Sequence, residues 1–267
     1  VTGNENGLKI YGGFAGTESG GAFSDPTEVE SALEGRDLAA NETILSGDLN
    51  GDDADTDGDG IPDSNRGDNA YHVLIFDGGS GIGTDVAADI TGDTVIGGVT
   101  VSGGNADGDF SDGGSDQKGG GLYCDGNGGS GGNSNVCSPQ ITDVTFSGNS
   151  ASFRGGAIYN DGGSVGPVDG VSSPKITDVT FSGNSADSRG GAIYNDGSGG
   201  TSSPVITNAI FTGNSAFSMS GSDTFGRGGA IYNEGAFGTS SPMITNAIFT
   251  SNSAGEEGGA IFNLELS

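Results

Sequence analysis

Apolar positions along this chain recur in a fixed phrase: Ser-Pro, a short β-branched and aromatic run, Asn-Ser-Ala, then Gly-Gly-Ala-Ile. Four copies run from Ser138-Pro139 to Asn160, Ser173-Pro174 to Asn195, Ser203-Pro204 to Asn233 and Ser241-Pro242 to Asn263. A period of about 20–50 residues means stacked units, each too small to bury its own apolar face. Aligned, the copies predict two columns of strands. The first is Ile141–Phe146, Ile176–Phe181, Ile206–Phe211 and Ile244–Phe249; the second is Gly155–Asn160, Gly190–Asn195, Gly228–Asn233 and Gly258–Asn263. Each run is bounded by Gly, Asn, Ser or Pro, which are turn formers. Within Val144-Thr145-Phe146 the alternation places Val and Phe inward and Thr outward.

A fifth copy precedes these four. Ile96–Val101 has the spacing of Ile141–Phe146, Gly103-Gly-Asn-Ala106 stands for the Asn-Ser-Ala turn, and Gly120–Tyr123 is followed by Cys124 where later copies hold Asn. Farther upstream, Leu8–Tyr11, Thr43–Leu45, Tyr71–Phe76 and Asp93–Val95 read as earlier, irregular coils. Proline-to-proline steps of 35, 30 and 38 residues (139 to 174, 174 to 204, 204 to 242) put the length variation in connectors such as Gly162–Val171 and Phe217–Arg227. Unequal connectors suit a β-helix and would spoil a propeller's radial symmetry. Only Asp25–Leu38, with Pro26 at a first-turn position, comes near a helical pattern. The expectation is an all-β chain: one right-handed parallel β-helix (β-solenoid) of about six or seven coils with loop insertions. Residues 1–92 form irregular coils and 93–267 the regular repeats. With strands about 4.8 Å apart, the stack would stand on the order of 30 Å tall.

Composition narrows the partners. Formal net charge is -28 with eight Lys and Arg, so a basic patch for DNA or RNA phosphates is missing. Attachment to anionic lipid by basic charge fails for the same reason. No apolar run reaches membrane-spanning length, so this segment is not expected to insert directly. The apolar share of 31%, without Trp, suits a thin solenoid core better than a thick globular one. The acidic, Gly-rich composition points to an extracellular or cell-surface location. Opening at Val1, the chain reads as a mature segment or part of something longer. Cys124 and Cys137 flank the stretch 125–136, and a disulfide there would staple the connection between two coils.

Stacking places equivalent residues above one another. Asn149, Asn184, Asn214 and Asn252 form one expected column, and Asn160, Asn195, Asn233 and Asn263 a second. Asn tolerates a left-handed corner and can bond amide to amide along the stack. The pattern Phe-x-x-Asn-Ser-Ala followed by Gly-Gly-Ala-Ile resembles the polymorphic outer membrane protein repeat, and is similar to secreted bacterial right-handed parallel β-helix proteins. The stretches Ile10–Glu18, Thr43–Asp48 and Asp68–Val73 resemble the opening coils of that set. The resemblance implies surface display or secretion, often as an adhesin or as a structural part of a larger chain. Fold likeness alone does not establish function.

The strongest candidate for chemistry is the acidic stretch Asp48–Asp63. Asp55, Asp57, Asp59, Gly60 and Asp63 match the first, third, fifth, sixth and ninth positions of a calcium loop, with the Ile61 carbonyl at the seventh. The twelfth position is Arg66 in place of the bidentate Glu, so the run resembles Asp-rich loops of thrombospondin type 3 repeats or dockerins more than an EF-hand. The candidate ligands are Asp48, Asn50, Asp52, Asp55, Asp57, Asp59, Ile61 and Asp63, with Asp53 or Asp68 also able to close the shell around a stabilising Ca²⁺.

Catalytic groups are scarce. His72 is the single histidine, in an apolar run, and reads as structural. Arg154, Arg189 and Arg227 align beside the Gly-Gly pairs, with Glu257 in the last copy. A calcium-assisted lyase or a hydrolase acting on acidic glycans could use such a column, but a row of surface charges with Arg227 and Glu257 paired is simpler. The outward column Thr142, Thr177, Thr207 and Thr245 permits a remote ice-binding reading. The preferred reading is a non-enzymatic, calcium-stabilised structural or adhesive module. Its expected partners are its own copies or further domains stacked end to end, with glycans or a cell surface as ligands.

Overall fold

In the computed structural model the described residues are 7–16, 33–56, 64–78, 89–109, 114–128, 135–164, 169–217 and 226–265. They build three sheets in which every strand pairing is parallel. The chain is the right-handed parallel β-helix that the repeat predicts. Six coils are present among the described residues. The sheet that closes each coil carries Leu74–Asp77, Leu122–Asp125, Ile158–Asp161, Ile193–Asp196, Ile231–Glu234 and Ile261–Leu264 in that order.

The upstream segments differ from expectation. Lys9–Tyr11, Ile44–Ser46 and Leu74–Asp77 are three strands of a single coil, the first two in one sheet and the third in another, each pairing with a different strand of the next coil. Val95–Gly97 opens that next coil. Long insertions within one turn give it the sequence pattern of several. Of the helical candidate Asp25–Leu38, residues 33–38 are described: Leu33 and Glu34 are helical and Leu38 lies in a turn. The rest lies outside the described residues.

The first strand column is also more articulated than a plain strand. Gln140–Thr142 and Thr145–Ser147 are separated at Asp143, whose φ is 54°. Strict alternation from Ile141 would turn Asp143 inward. The left-handed residue shifts the phase, so that Val144 and Phe146 point inward, 2% and 0% exposed. Asp178, Asn208 and Asn246 repeat this geometry, with φ of 55°, 54° and 51°. All four are residue types that tolerate it. Gly190 turns the opposite corner at φ 65°, where a Cβ would lie 2.3 Å from the Ile193 carbonyl oxygen. Only glycine fits that approach.

Inside, like stacks on like. Phe146, Phe181, Phe211 and Phe249 stack with ring centroids 5.3, 4.7 and 4.7 Å apart, flanked by Ile141, Ile176 and Ile206. Burying one such side chain contributes about 1.5–3 kcal/mol. In the sixth coil Ile244, Phe249 and Ile261 are only half-buried, although the same residue types are fully enclosed one coil earlier. Burial here is conferred by the next coil.

Candidate surface sites

At the base of the acidic stretch, carboxylate oxygens of Asp48, Asp52 and Asp68 lie within 4.8 Å of one another. Asp48 accepts the N–H groups of Gly51 (2.7 Å), Asp52 (3.3 Å) and Asp53 (3.3 Å), and Asp68 accepts that of Asn50 (3.0 Å). Desolvation pushes the Asp48 carboxyl up, but the backbone N–H groups of Gly51, Asp53, Asp52 and Asn50 together hold it below its ordinary range. It therefore stays ionised beside two further carboxylates. Asn69, buried, donates to Asp53 (2.7 Å) and to the Gly103 carbonyl (2.8 Å), which ties the stretch to the solenoid. Asp55 is exposed, while Asp57, Asp59, Ile61 and Asp63 lie outside the described residues. Oxygen ligands of this kind suit a hard cation such as Ca²⁺.

Cys124 and Cys137 form a buried disulfide with Cα atoms 5.6 Å apart. Cys124 stands in register with Asn160, one coil below the first rung of the Asn column. Asn160 Nδ2 donates to Asn195 Oδ1 (2.8 Å), Asn195 to Asn233 (2.7 Å) and Asn233 to Asn263 (2.6 Å). Because a cystine sulfur occupies the preceding rung, Asn160 Oδ1 is buried without a donor. The other column is fully engaged. Asn184 Oδ1 accepts both the backbone N–H and the Nδ2 of Asn149 (3.1 Å each), and Asn184 Nδ2 donates to Phe146 O and Asn214 Oδ1 (3.0 Å each).

The arginine column lies over the closing sheet. Lys118, Arg154, Arg189, Arg227 and Glu257 follow one another in register. Tyr123, Tyr159, Tyr194, Tyr232 and Phe262 stack beneath them at 5.0–5.4 Å. The Arg154 guanidinium sits 4.8 Å from the Tyr194 ring and 3.7 Å from Asp196. Arg189 covers Tyr232 at 5.2 Å and faces Glu234 at 3.8 Å. Arg227 pairs with Glu256 (3.3 Å) and Glu257 (3.2 Å). Tyr159 donates to Asp196 (2.6 Å), Tyr123 to Asp161 (3.0 Å) and Tyr194 to Glu234. Burial first, then neighbouring carboxylates, push the Tyr123 and Tyr159 hydroxyls well up, so they remain proton donors. This is a seal of cation, ring and carboxylate running from coil to coil. The aligned arginines and the Arg227–Glu257 pair were visible in the sequence; that Arg154 and Arg189 each lean on the tyrosine and acid of the following coil was not, since those residues lie about 40 positions away.

His72 donates from Nδ1 to the Gly119 carbonyl (3.0 Å) and lies 3.9 Å from Asp116, its side chain 5% exposed. Burial lowers its pKa against that hydrogen bond and that charge. Thr142, Thr177, Thr207 and Thr245 stack in register on the outer face. The adjacent outward column changes from Thr145 and Thr180 to Ile210 and Ile248.

One cleft opens on the outside of the solenoid, about 400 Å³ in volume, where the loop carrying Leu38 and Glu42 crosses the left-handed corner. Asp143, Asp178, Thr145 and Thr180 form its other side. Nothing in the strand pattern pointed to it, because its wall comes from an insertion in the first coil.

Four segments, residues 143–161, 178–196, 208–234 and 246–264, match the family model of the Chlamydia polymorphic membrane protein repeat. Each begins at a left-handed corner residue and ends with the closing strand of its coil. The chain is a parallel β-solenoid that carries four repeats of this type. No curated protein and no solved structure matches the chain. Among the described residues, no helix is long and apolar enough to cross a membrane.

Proposed function

We propose that the chain is a displayed β-solenoid module of a bacterial surface protein, working as a structural and adhesive element rather than as an enzyme. The observation that carries this reading is the match of four segments to a membrane-protein repeat whose residues build the coils themselves. Asn, Phe, Tyr and Gly of the repeat are occupied in ladders, stacks and turns, which leaves recognition to the outer faces and insertions. The arginine column is spent on rings and carboxylates, which supports a scaffold role over a lyase or hydrolase acting on acidic glycans. Display is tested by protease accessibility on intact producing cells, and adhesion by binding of the purified chain to host-type cells. Cleavage of the solenoid at the surface together with saturable cell binding is expected. A chain protected until lysis, or cell binding no greater than that of an unrelated acidic protein, would overturn the reading.

Two finer features belong to the same proposal. Ca²⁺ held at Asp48, Asp52 and Asp68, with further oxygens from the acidic stretch, would pin that stretch to the first coil. Melting should then fall by several degrees in EDTA and recover with added calcium; an unchanged transition rejects the stabilising ion. The half-buried last coil and the open edge of Met243–Thr250 favour end-to-end stacking on further coils of the same kind. A mass that stays monomeric across a wide concentration range would reject stacking between separate chains.

A further inference from the structure

The outer corner of the solenoid carries two unlike features in one line. Its first part is the cleft, which places Glu42, Asp143 and Asp178 around the hydroxyls of Thr145 and Thr180, with Leu38 as an apolar wall. No Lys or Arg is among the residues lining it; the Arg36 guanidinium, next to Gly98, is engaged by the Gly12 (3.2 Å) and Gly97 (3.4 Å) carbonyls. The Glu42 carboxylate already accepts from Thr100 (2.9 Å). Asp143 and Asp178 occupy equivalent positions in adjacent coils, so two like charges stand about one strand spacing apart. At the same corner the next two coils use Asn: Asn246 donates to Asn208 (2.7 Å) and Asn208 to Asp178 (2.9 Å). That amide ladder stops where the cleft begins. Stacked like charges destabilise a sheet, so the two aspartates give up stability that Asn would supply.

The second part is apolar. On the outer face of the last two coils Val205, Ile210, Met243 and Ile248 are 40%, 41%, 64% and 58% exposed. They are in register as the pairs Val205 with Met243 and Ile210 with Ile248. The same columns hold Lys175 with Gln140 and Thr180 with Thr145 in the two preceding coils. Clustered exposed apolar side chains of this size mark contact surfaces. Thr180 of the cleft pairs directly with Ile210 of the patch, so the two features are continuous.

We propose that this corner docks a polypeptide segment that is basic at one end and apolar at the other. The basic side chains would run their stems along Leu38 and set their heads among Glu42, Asp143 and Asp178, while apolar side chains cover Ile210 and Ile248. The carboxylate set close enough to share one ion, among the described residues, is Asp48, Asp52 and Asp68. Glu42, Asp143 and Asp178 do not form such a set, and a side-chain cation on a flexible stem can meet them singly. From Thr100 to Ile248 the line crosses four coil steps, about 19 Å, or about six residues of extended chain. The net charge of -28 steers a basic partner toward the surface and repels an anionic one. This inference deepens the adhesive reading by naming its partner chemistry, and its test uses purified components, so failure of cell binding and failure of this site are read separately.

The probe is a fluorescein-labelled peptide Lys-Arg-Lys-Arg-Leu-Val-Leu-Val, titrated by fluorescence anisotropy against the whole chain. Saturable binding is expected. Asp143→Asn/Asp178→Asn should weaken it by about tenfold and flatten its salt dependence, while leaving the fold intact because Asn extends the existing ladder. Ile210→Thr/Ile248→Thr, which copies the earlier coils, should also weaken it by about tenfold. The charge control Asp93→Asn/Asp169→Asn removes two exposed carboxylates elsewhere and should leave affinity within about twofold. No binding, an unchanged affinity in either double variant, or an equal loss in the control would overturn the proposal. Equal binding of an all-lysine peptide would overturn its apolar half.

Discussion

Two columns of corner residues run the length of the regular coils, and they obey different rules. Asn149, Asn184 and Asn214 are fully buried and Asn252 half-buried, each giving and receiving amide hydrogen bonds along the stack. Asp143, Asp178, Asn208 and Asn246 instead turn an outer corner with their own positive φ, which at the inner corner belongs not to Asn but to the preceding Gly148, Gly183, Gly213 and Ser251; all four outer residues are exposed, and their chemistry changes halfway along. A buried corner needs a side chain that donates and accepts at once, because an unmet polar group there has no water to turn to. An exposed corner needs only a residue that tolerates positive φ. The inner column is thus bound to one residue type, and the outer one is free to carry function.

The largest expected break comes from placing the outer column's chemistry inside. Asn184→Asp removes the donor to Phe146 O and Asn214 Oδ1 and buries a charge, and should cost about 3 kcal/mol or more in urea unfolding. A loss as small as that of an exposed substitution would refute the contrast. Next, Cys124→Ala/Cys137→Ala should cost about 3 kcal/mol by releasing the closed loop. In Cys124→Asn/Cys137→Ser a new Asn rung can donate to the orphan Asn160 Oδ1, which should recover about 1 kcal/mol of that loss. Equal stability of the two double variants would show that the ladder does not extend into the second coil.

A third test uses pH. Asp161 accepts from Tyr123 (3.0 Å), Asn127 (3.1 Å) and the Gly163 N–H (3.1 Å). Burial, then the Asp196 charge, push its carboxyl above its usual range, against Lys118, the Gly163 amide and Tyr123. The folded-state pKa thus exceeds the unfolded value near 3.8. The stabilisation it provides is complete below that value and is lost as pH rises through the folded-state pKa. On acidification from neutral pH, the melting temperature of the wild type should therefore gain on that of Asp161→Asn; a constant difference would count against it. The smallest effect is in the outer column itself, where Asp178→Asn should stabilise by about 0.2–1 kcal/mol, read from the urea midpoint. Destabilisation there would mean that the stacked aspartates are not in conflict.

Much of the fold was legible because a repeat states each packing decision several times. The inward Ile, Val and Phe, the Asn columns and the Gly corners could be read from alignment of the copies alone. The break at Asp143 was less visible, since a left-handed residue shifts alternation without changing composition. The first coil reads as several in the sequence, because its three strands are separated by long insertions and only their partners in the second coil reveal one turn. Among the site residues, the cysteines stood out by count and the acidic stretch by its alternating aspartates. Asp68 joins Asp48 and Asp52 only when the stretch folds back on its own base.

The sequence by itself determined the period, the inward faces and the residues that must stack, because these depend on local alternation and on identical units placed at identical heights. Tertiary structure alone decided which faces remained exposed. It laid Leu38 and Glu42 beside Asp143 and Asp178, more than 100 residues apart, and set the tyrosine of one coil against the acid of the next. It also left the last coil's Phe249 half-covered, while the equivalent Phe211 is sealed. The physical reason is that burial in a solenoid is supplied by the neighbouring coil, so the same residue has a different environment at each height in the stack.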